Sequence, residues 1–172
     1  MKFGDKARFA IEFELDDNHG GSWLFGRFCY WIGGEMVGDY CSGVSLRDVL
    51  FQMKYVVGDG GQRTCPKLAV LPPSKIVDLI TMSLSELSNE ISHFVDNEFL
   101  PAKLDVRIPV DIFNSWNIFL VDGDGDSLLM YSRDEHSDVN VVHLLHGEFD
   151  TIAVAAYDAL DQIYLAQNGA RK

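Results

Sequence analysis

The residues with the strongest claim to chemistry are the Asp-Gly-Asp-Gly-Asp run at 122–126, which begins like a calcium-binding loop. An EF-hand loop also needs glycine at its sixth position and a bidentate glutamate at its twelfth. Counted from the first aspartate, those positions hold Ser127 and Arg133. The flanks, 118–121 and 128–131, are apolar runs typical of strands, whereas an EF-hand needs helices. Because Asp-Gly pairs between such runs are typical of hairpins, the sequence predicts a β-hairpin turn rather than a metal site.

Two histidines, His143 and His146, are the next candidates for a metal site. On a helix their offset would put both rings on one face, but residues 139–146 have the composition of a strand. On a strand the same offset puts the rings on opposite faces, so a shared metal ion is not expected. The HExxH signature of zinc proteases is absent from the sequence.

Nucleophilic catalysis has no sequence support either. There is no Gly-x-Ser-x-Gly elbow, and the glycines of 58–61 match neither phosphate-loop pattern. The three cysteines are an odd number without CxxC spacing, which predicts reduced residues of a cytoplasmic protein. Among Cys29, Cys41 and Cys65, the last is the thiol we expect to be exposed. We therefore predict no catalytic residue, no metal and no cofactor, and a protein that is not an enzyme.

The charge of the chain is concentrated in its second half. Residues 86–172 hold sixteen Asp or Glu and five Lys or Arg, and residues 1–85 hold ten and nine, so −11 of the net −12 lies in the second half. Such a field repels nucleic acid and acidic membranes and attracts a basic protein. No apolar run reaches the roughly 18–20 residues that span a bilayer, and the first residues lack the pattern of a signal peptide.

If a basic protein is the partner, exposed acids of the second half are the candidate contacts. Each of them alone is an ordinary solvated surface acid, so the prediction concerns the face that they form together. The predicted contacts are Asp122, Asp124 and Asp126 on one turn, Asp134, Glu135 and Asp138 on the next, and Asp158 and Asp161 on the last helix.

The periodicity of apolar residues predicts the elements that position these acids. It switches between two and about 3.6 along the chain, and we find no repeat or linker. We therefore predict one domain over 1–172, of α+β class, with an antiparallel sheet of hairpins and about three or four helices packed on it. The predicted strands are 9–15, 23–32, 35–40, 104–110, 115–122, 127–133 and 139–146, and the predicted helices are 45–57, 74–82, 83–97 and 149–167, with 74–97 either one bent helix or two.

Aromatic residues are dense in the second predicted strand. Core packing is the expected role for Trp23, Phe25, Phe28, Tyr30 and Trp31. A nucleic-acid platform would combine such rings with a basic groove, for which this acidic chain gives no sign.

Three stretches of the first half together resemble the immunity protein 42 family of bacterial polymorphic toxin and contact-dependent growth inhibition systems. They are FGDKARFAIEFEL, WLFGRFCYWIGGEMVGDY and SLRDVLFQMKYVV, and the resemblance is good over about the first 65 residues. The residues that carry it have structural roles as turn glycines, core aromatics and the first turn of a helix. These residues are Trp23, Gly26, Arg27, Phe28, Tyr30, Ile32, Gly38, Leu46, Asp48 and Leu50.

The resemblance implies a cytoplasmic immunity protein that binds the toxin domain of its own locus and protects the producing cell. With the acidic field, it leads to the expectation of a one-to-one complex with a basic toxin domain, a nuclease, neutralised by steric and electrostatic occlusion. The alternative is a small-ligand or calcium-binding module. A hydrolase that uses an unmarked pair of carboxylates is a third possibility.

Overall fold

The computed structural model describes residues 1–133 and 138–169, which form two compact units. Unit 1 comprises residues 1–58, 108–115 and 149–172, and unit 2 comprises residues 59–107 and 116–148. Both contain antiparallel hairpins and helices, so the predicted α+β class is confirmed. The hairpins belong to two sheets in the described part of the chain rather than to one. The prediction of a single domain stays a prediction.

Unit 1 is built on a five-stranded sheet in which β1 to β4 lie side by side in chain order and β5 pairs with β3. Gly33 and Gly34, with φ of 61° and 86°, make the two-residue turn that pairs Ile32 with Glu35. Both positive φ values suit glycine, which has no Cβ to clash. The strands are β1 (Lys2–Asp5), β2 (Phe9–Leu15), β3 (Phe25–Ile32), β4 (Glu35–Val37) and β5 (Val44–Ser45).

Two long helices complete unit 1: α1 (Leu46–Gly58) and, later in the chain, α4 (Glu148–Gly169), which belongs to this unit from Phe149 onward. Ser45 caps α1, because its Oγ accepts a 3.2 Å hydrogen bond from the Asp48 N–H. The core of the unit is aromatic, with rings in stacked, edge-on and tilted contacts. The Phe9 ring lies 4.6 Å from that of Phe149, and Tyr30 lies 5.0 Å from Phe113.

Unit 2 is built on a three-stranded antiparallel sheet with order β6-β7-β8. Its strands are β6 (Trp116–Asp122), β7 (Asp126–Arg133) and β8 (Asn140–Leu145), and its helices are α2 (Pro66–Ala69) and α3 (Pro73–Leu84). One side of α3 buries Ile76, Leu79 and Ile80 in the core of this unit. The turn between β6 and β7 spans the Asp-Gly-Asp-Gly-Asp run, so the predicted hairpin is confirmed.

The predicted helix at 83–97 is wrong. Glu86 has the left-handed φ of 57°, and the Leu87 N–H donates to the Met82 carbonyl at 2.9 Å, a Schellman-type ending of α3. A residue in that conformation cannot be the N3 position of a second helix. The next element is a 3₁₀ turn at Glu90–His93, and Leu87, between the two, is 75 % exposed.

The predicted strand at 104–110 is also wrong. Residues 101–104 form a 3₁₀ turn, and beyond it the chain makes an isolated bridge between Asp105 and Phe119. Further 3₁₀ turns lie at Gly21–Trp23 and Asp111–Phe113. Strands β1 and β5 and helix α2 were not predicted. No helix formed by the described residues is both long and apolar enough to cross a membrane.

Candidate functional site

The structure separates Asp122 from the other acids that the sequence grouped with it. Its side chain is buried, with the residue 3 % exposed, and Ser127 Oγ donates a 2.6 Å hydrogen bond to Asp122 Oδ1. The backbone of Asp122 also accepts from the Cys65 N–H at 2.8 Å and donates to the Arg63 carbonyl at 3.0 Å. Asp122 therefore holds this edge of unit 2 together, and its carboxylate does not reach the surface.

Asp124 and Asp126, two and four residues later, are exposed on the same turn. Asp126 Oδ2 lies 2.7 Å from His143 Nδ1 on β8, with side chains 52 % and 67 % exposed. A pair this exposed contributes little to stability, because water screens it. Asp126 thus has a histidine neighbour, whereas Asp124 presents its charge directly to solvent.

The second predicted group of acids is described only in part. Asp138 is exposed just before β8. Asp134 and Glu135 lie outside the described residues.

The third group lies on α4 in unit 1. Asp158 is exposed and Asp161 is half-buried, and their spacing of three residues puts them on one face of the helix. The predicted contacts are therefore distributed between two units, which the division of the sequence into halves did not show. The structure brings together Asp124 with Asp126 on one turn and Asp158 with Asp161 on one helix.

Two of the three thiols, Cys29 and Cys65, are poorly suited to nucleophilic chemistry. Burial raises the pKa of Cys29 and of Cys65 to about 12, and Cys65 also feels the nearby charge of Asp122. Cys65 is 3 % exposed, so the prediction that it is the exposed thiol is wrong, and Cys41 is the exposed one. A thiol whose pKa is raised by burial is a poor nucleophile, because the thiolate is the reactive form.

Burial raises the pKa of Asp105, against the opposing effect of the Arg107 N–H, which donates to Asp105 Oδ1 at 2.9 Å. Among the described residues, no group of three or more His, Cys, Asp or Glu side chains is arranged to hold a metal ion.

Sequence reasoning missed an exposed aromatic surface on unit 1. Trp23 and Phe25, expected in the core, are 47 % and 45 % exposed, whereas Phe28 and Tyr30 are buried as predicted. The Arg47 guanidinium lies 3.7 Å from the centre of the Trp23 ring and pairs with Asp48 at 2.9 Å. Tryptophan and arginine are enriched where protein interfaces gain most of their affinity. The available signal was strand alternation, which puts Phe25 and Phe28 on opposite faces of β3.

Comparisons with known proteins show which proteins this chain is similar to. The family model of immunity protein 42 matches residues 1–159, well beyond the first 65 residues that carried the resemblance in the sequence. Among solved structures, the crystal structure of CdiI from Burkholderia dolosa AUO158 is similar, with a TM-score of 0.71 and 18 % identity over 92 % of this chain and 99 % of that chain. A comparison with curated proteins finds no match. The chain belongs to the immunity protein 42 family, and its function is accordingly immunity against a toxin.

Proposed function

We propose that this protein neutralises its cognate toxin domain by covering a basic surface of that domain, in a one-to-one complex and without chemistry of its own. A nuclease is the toxin class that this proposal favours, because a nuclease cleft is built to bind a polyanion. The observation that carries the proposal is the net charge of −12 in a member of an immunity protein family. We further propose that the protein acts in the cytoplasm, where its three cysteines stay reduced.

The acidic excess is larger in unit 2. That unit has fourteen Asp or Glu and six Lys or Arg, which gives −8, while unit 1 has twelve and eight, which gives −4. The two values sum to the −12 of the chain. The difference is smaller than that between the halves of the sequence, because residues 108–115 and 149–172 bring acids to unit 1 while residues 59–85, with a net charge of +1, belong to unit 2.

Several basic side chains of unit 2 are held against the unit's own groups. Arg63 is buried and its Nε donates to the Lys103 carbonyl at 2.8 Å. Lys75 Nζ lies 2.9 Å from Glu90 Oε1, and Lys103 Nζ donates to Gln62 Oε1 at 2.6 Å. Burial keeps the charge of Arg63 away from the surface and a carboxylate matches that of Lys75, whereas Lys103, bonded to a neutral amide, keeps its charge. The first two contacts support an acidic surface on this unit.

The proposed contacts are those of the predicted acids whose side chains can meet a partner. Asp122 is left out, because its carboxylate is buried and bonded to Ser127. Asp134 and Glu135 stay in the proposal on sequence grounds alone. The contacts that rest on described positions are Asp124, Asp126 and Asp138 of unit 2 and Asp158 and Asp161 of α4.

An acidic surface would act mainly on the rate of capture. Charge complementarity can raise association from about 10⁵–10⁶ to about 10⁸–10⁹ M⁻¹s⁻¹ at low salt. An inhibitor that must intercept a toxin before it reaches its target gains directly from that speed. The same argument requires that association slow as salt is added, since ions screen charges separated by more than about 8–10 Å at physiological ionic strength.

The test uses the toxin domain encoded beside this chain, which the protein should bind and whose toxicity it should suppress in a bacterial host. We expect the variant Asp124→Asn/Asp126→Asn to associate about tenfold more slowly at low salt, with the difference shrinking as salt rises. The matched control is Asp16→Asn/Asp17→Asn, which removes the same charge from an exposed turn of unit 1.

Three outcomes count against the proposal. A wild-type chain that neither binds nor protects would remove the toxin-binding function for that partner. An equal effect of both double variants would show that total charge matters and that the β6–β7 turn does not. Association that is insensitive to salt would contradict the electrostatic mechanism.

A further inference from the structure

Unit 2 has a groove between α3 and the open end of the β6–β7 hairpin, where β6 begins and β7 ends. Its volume is about 510 Å³, within the roughly 300–1,000 Å³ of ordinary ligand-binding clefts. One wall is the outward side of α3, which includes Asp78 and Thr81 and continues to Ser85 just past the helix end. The opposite side of α3 is buried in the core. We call this feature the α3 groove.

The second wall of the α3 groove is polar as well. Asn117 on β6 and Ser132 on β7 are register partners, and Asn117 Nδ2 lies 3.5 Å from Ser132 Oγ. Asp138, just before β8, also lines the groove. Hydrogen-bonding groups therefore face the groove from the helix and from the sheet.

The charge of the α3 groove is negative. Asp78 and Asp138 are both exposed, and within the described part of the chain neither carboxylate has an ion-pair or hydrogen-bond partner. Lys75 lines the groove too, but its ammonium is already 2.9 Å from Glu90 Oε1. A ligand would therefore meet two carboxylates and a cation whose charge is largely matched.

Apolar surface lies beside these carboxylates. Met82 and Leu87 line the groove and are 43 % and 75 % exposed. A purely apolar side chain could cover them, but it would remove water from the two carboxylates without supplying hydrogen bonds in place of those lost. A long basic side chain avoids that cost, because its aliphatic stem packs on apolar surface while its charged head pairs with carboxylate.

We propose that the α3 groove receives an arginine or lysine side chain of the toxin domain, held by Asp78 and Asp138 and packed on Met82 and Leu87. This inference rests on the proposed function, which supplies a basic partner. Arginine suits the site best, since its planar fork can pair with carboxylate through two parallel hydrogen bonds. The groove is then an anchor that slows dissociation, whereas the acids of the β6–β7 turn speed association.

The test measures association and dissociation rates of the full chain with the toxin domain of its own locus, at 150 mM and 300 mM salt. We expect Asp78→Asn/Asp138→Asn to raise the dissociation rate about 10- to 100-fold, a larger factor than the one by which it slows association. The same Asp16→Asn/Asp17→Asn control should leave dissociation unchanged. Melting temperatures of all variants should match that of the wild type, because every replaced residue is exposed.

A second variant keeps both carboxylates and fills the groove from the chain itself. Ser85→Arg brings a guanidinium to the groove wall, so we expect faster dissociation, whereas Ser85→Ala should behave as wild type. If the wild type binds and both Asp78→Asn/Asp138→Asn and Ser85→Arg dissociate at the wild-type rate, the α3 groove does not receive a basic side chain. The proposed function would be unaffected by that result. Failure of the wild type to bind would overturn both.

Discussion

Ser127 Oγ donates a 2.6 Å hydrogen bond to Asp122 Oδ1, across the base of a turn whose other aspartates face solvent. One short stretch of sequence thus contains an acid that belongs to the interior and acids that belong to the surface. The two kinds should respond differently to substitution.

We expect Ser127→Ala to lower the free energy of unfolding by about 1–3 kcal/mol, because it leaves a buried carboxylate without its donor. Asp124→Asn, on the same turn but exposed, should change it by less than about 0.5 kcal/mol. Urea denaturation of both variants measures the difference. Equal stability of the two would show that the Asp122 carboxylate is hydrated in solution.

Gly26 lies on β3 where the neighbouring strand leaves no room for a side chain. A Cβ at this position would come 2.2 Å from the Glu14 carbonyl oxygen and 2.9 Å from Leu46 Cδ1. The carbonyl belongs to β2 and cannot shift without disturbing the register. We therefore expect Gly26→Ala to cost about 1–3 kcal/mol. Gly125→Ala, which meets nothing within 4 Å, is the control and should be nearly neutral by thermal denaturation.

The three cysteines should react with Ellman's reagent at different rates. Cys41 is exposed, whereas burial protects Cys29 and Cys65 and raises the pKa of each to about 12. We expect one thiol to react quickly in the native protein and all three in urea. In Cys41→Ser the fast phase should disappear. A fast phase that persists in this variant would mean that one of the buried thiols becomes accessible in the folded state.

Asp105 should make stability depend on acid pH in a recognisable direction. Its pKa is raised from the ordinary value of 3.8, mainly by burial. The folded state therefore binds the proton more tightly than the unfolded state does, and this favours folding at low pH. As pH rises from about 4 through the raised pKa, that contribution is lost.

Asp105→Asn removes the titration while keeping an oxygen that can accept from the Arg107 N–H. We expect the wild type to lose stability relative to this variant over the same pH window, and the difference to be constant above it. Unfolding curves at several pH values measure it. If the stability of the wild type relative to the variant stayed constant over this window, or rose with pH, the raised pKa would be contradicted.

Long, regular patterns in the sequence predicted their elements well. The stripe that predicted a helix over 149–167 corresponds to α4, at Glu148–Gly169, because an apolar face repeated over five turns fits few other structures. The hairpin of β6 and β7 was likewise predicted from apolar runs on either side of Asp-Gly pairs. Family membership was also predicted, from turn glycines and core residues of the first half.

The failures have local causes that composition does not reveal. Glu86 adopts the left-handed conformation that glycine usually provides at a helix end, so the sequence lacked the stop signal. Leu104, Val106 and Ile108 alternate with polar residues and are buried, as in a strand, yet the chain there forms only a 3₁₀ turn and an isolated bridge within the described residues. Alternating burial shows which side chains point into the core. It does not show whether a neighbouring strand is available for backbone pairing.

The candidate contacts were harder to predict than the fold. Acidic residues are numerous in this chain, and sequence cannot distinguish Asp122, bonded to Ser127, from Asp124, exposed two residues later. Asp78 was not predicted, because its role in the α3 groove depends on where the hairpin end lies beside the helix. Such a site is a property of tertiary packing and has no motif.

The stacking of Phe9 on Phe149 has a consequence for synthesis of the chain on the ribosome. These rings lie 4.6 Å apart in the core of unit 1, although residues 10–148 separate them in the sequence. All of unit 2, which lies within residues 59–148, is translated between them. Unit 1, although it begins first, can therefore be completed only after unit 2 has been translated, and until then its aromatic strands lack the packing of Phe149.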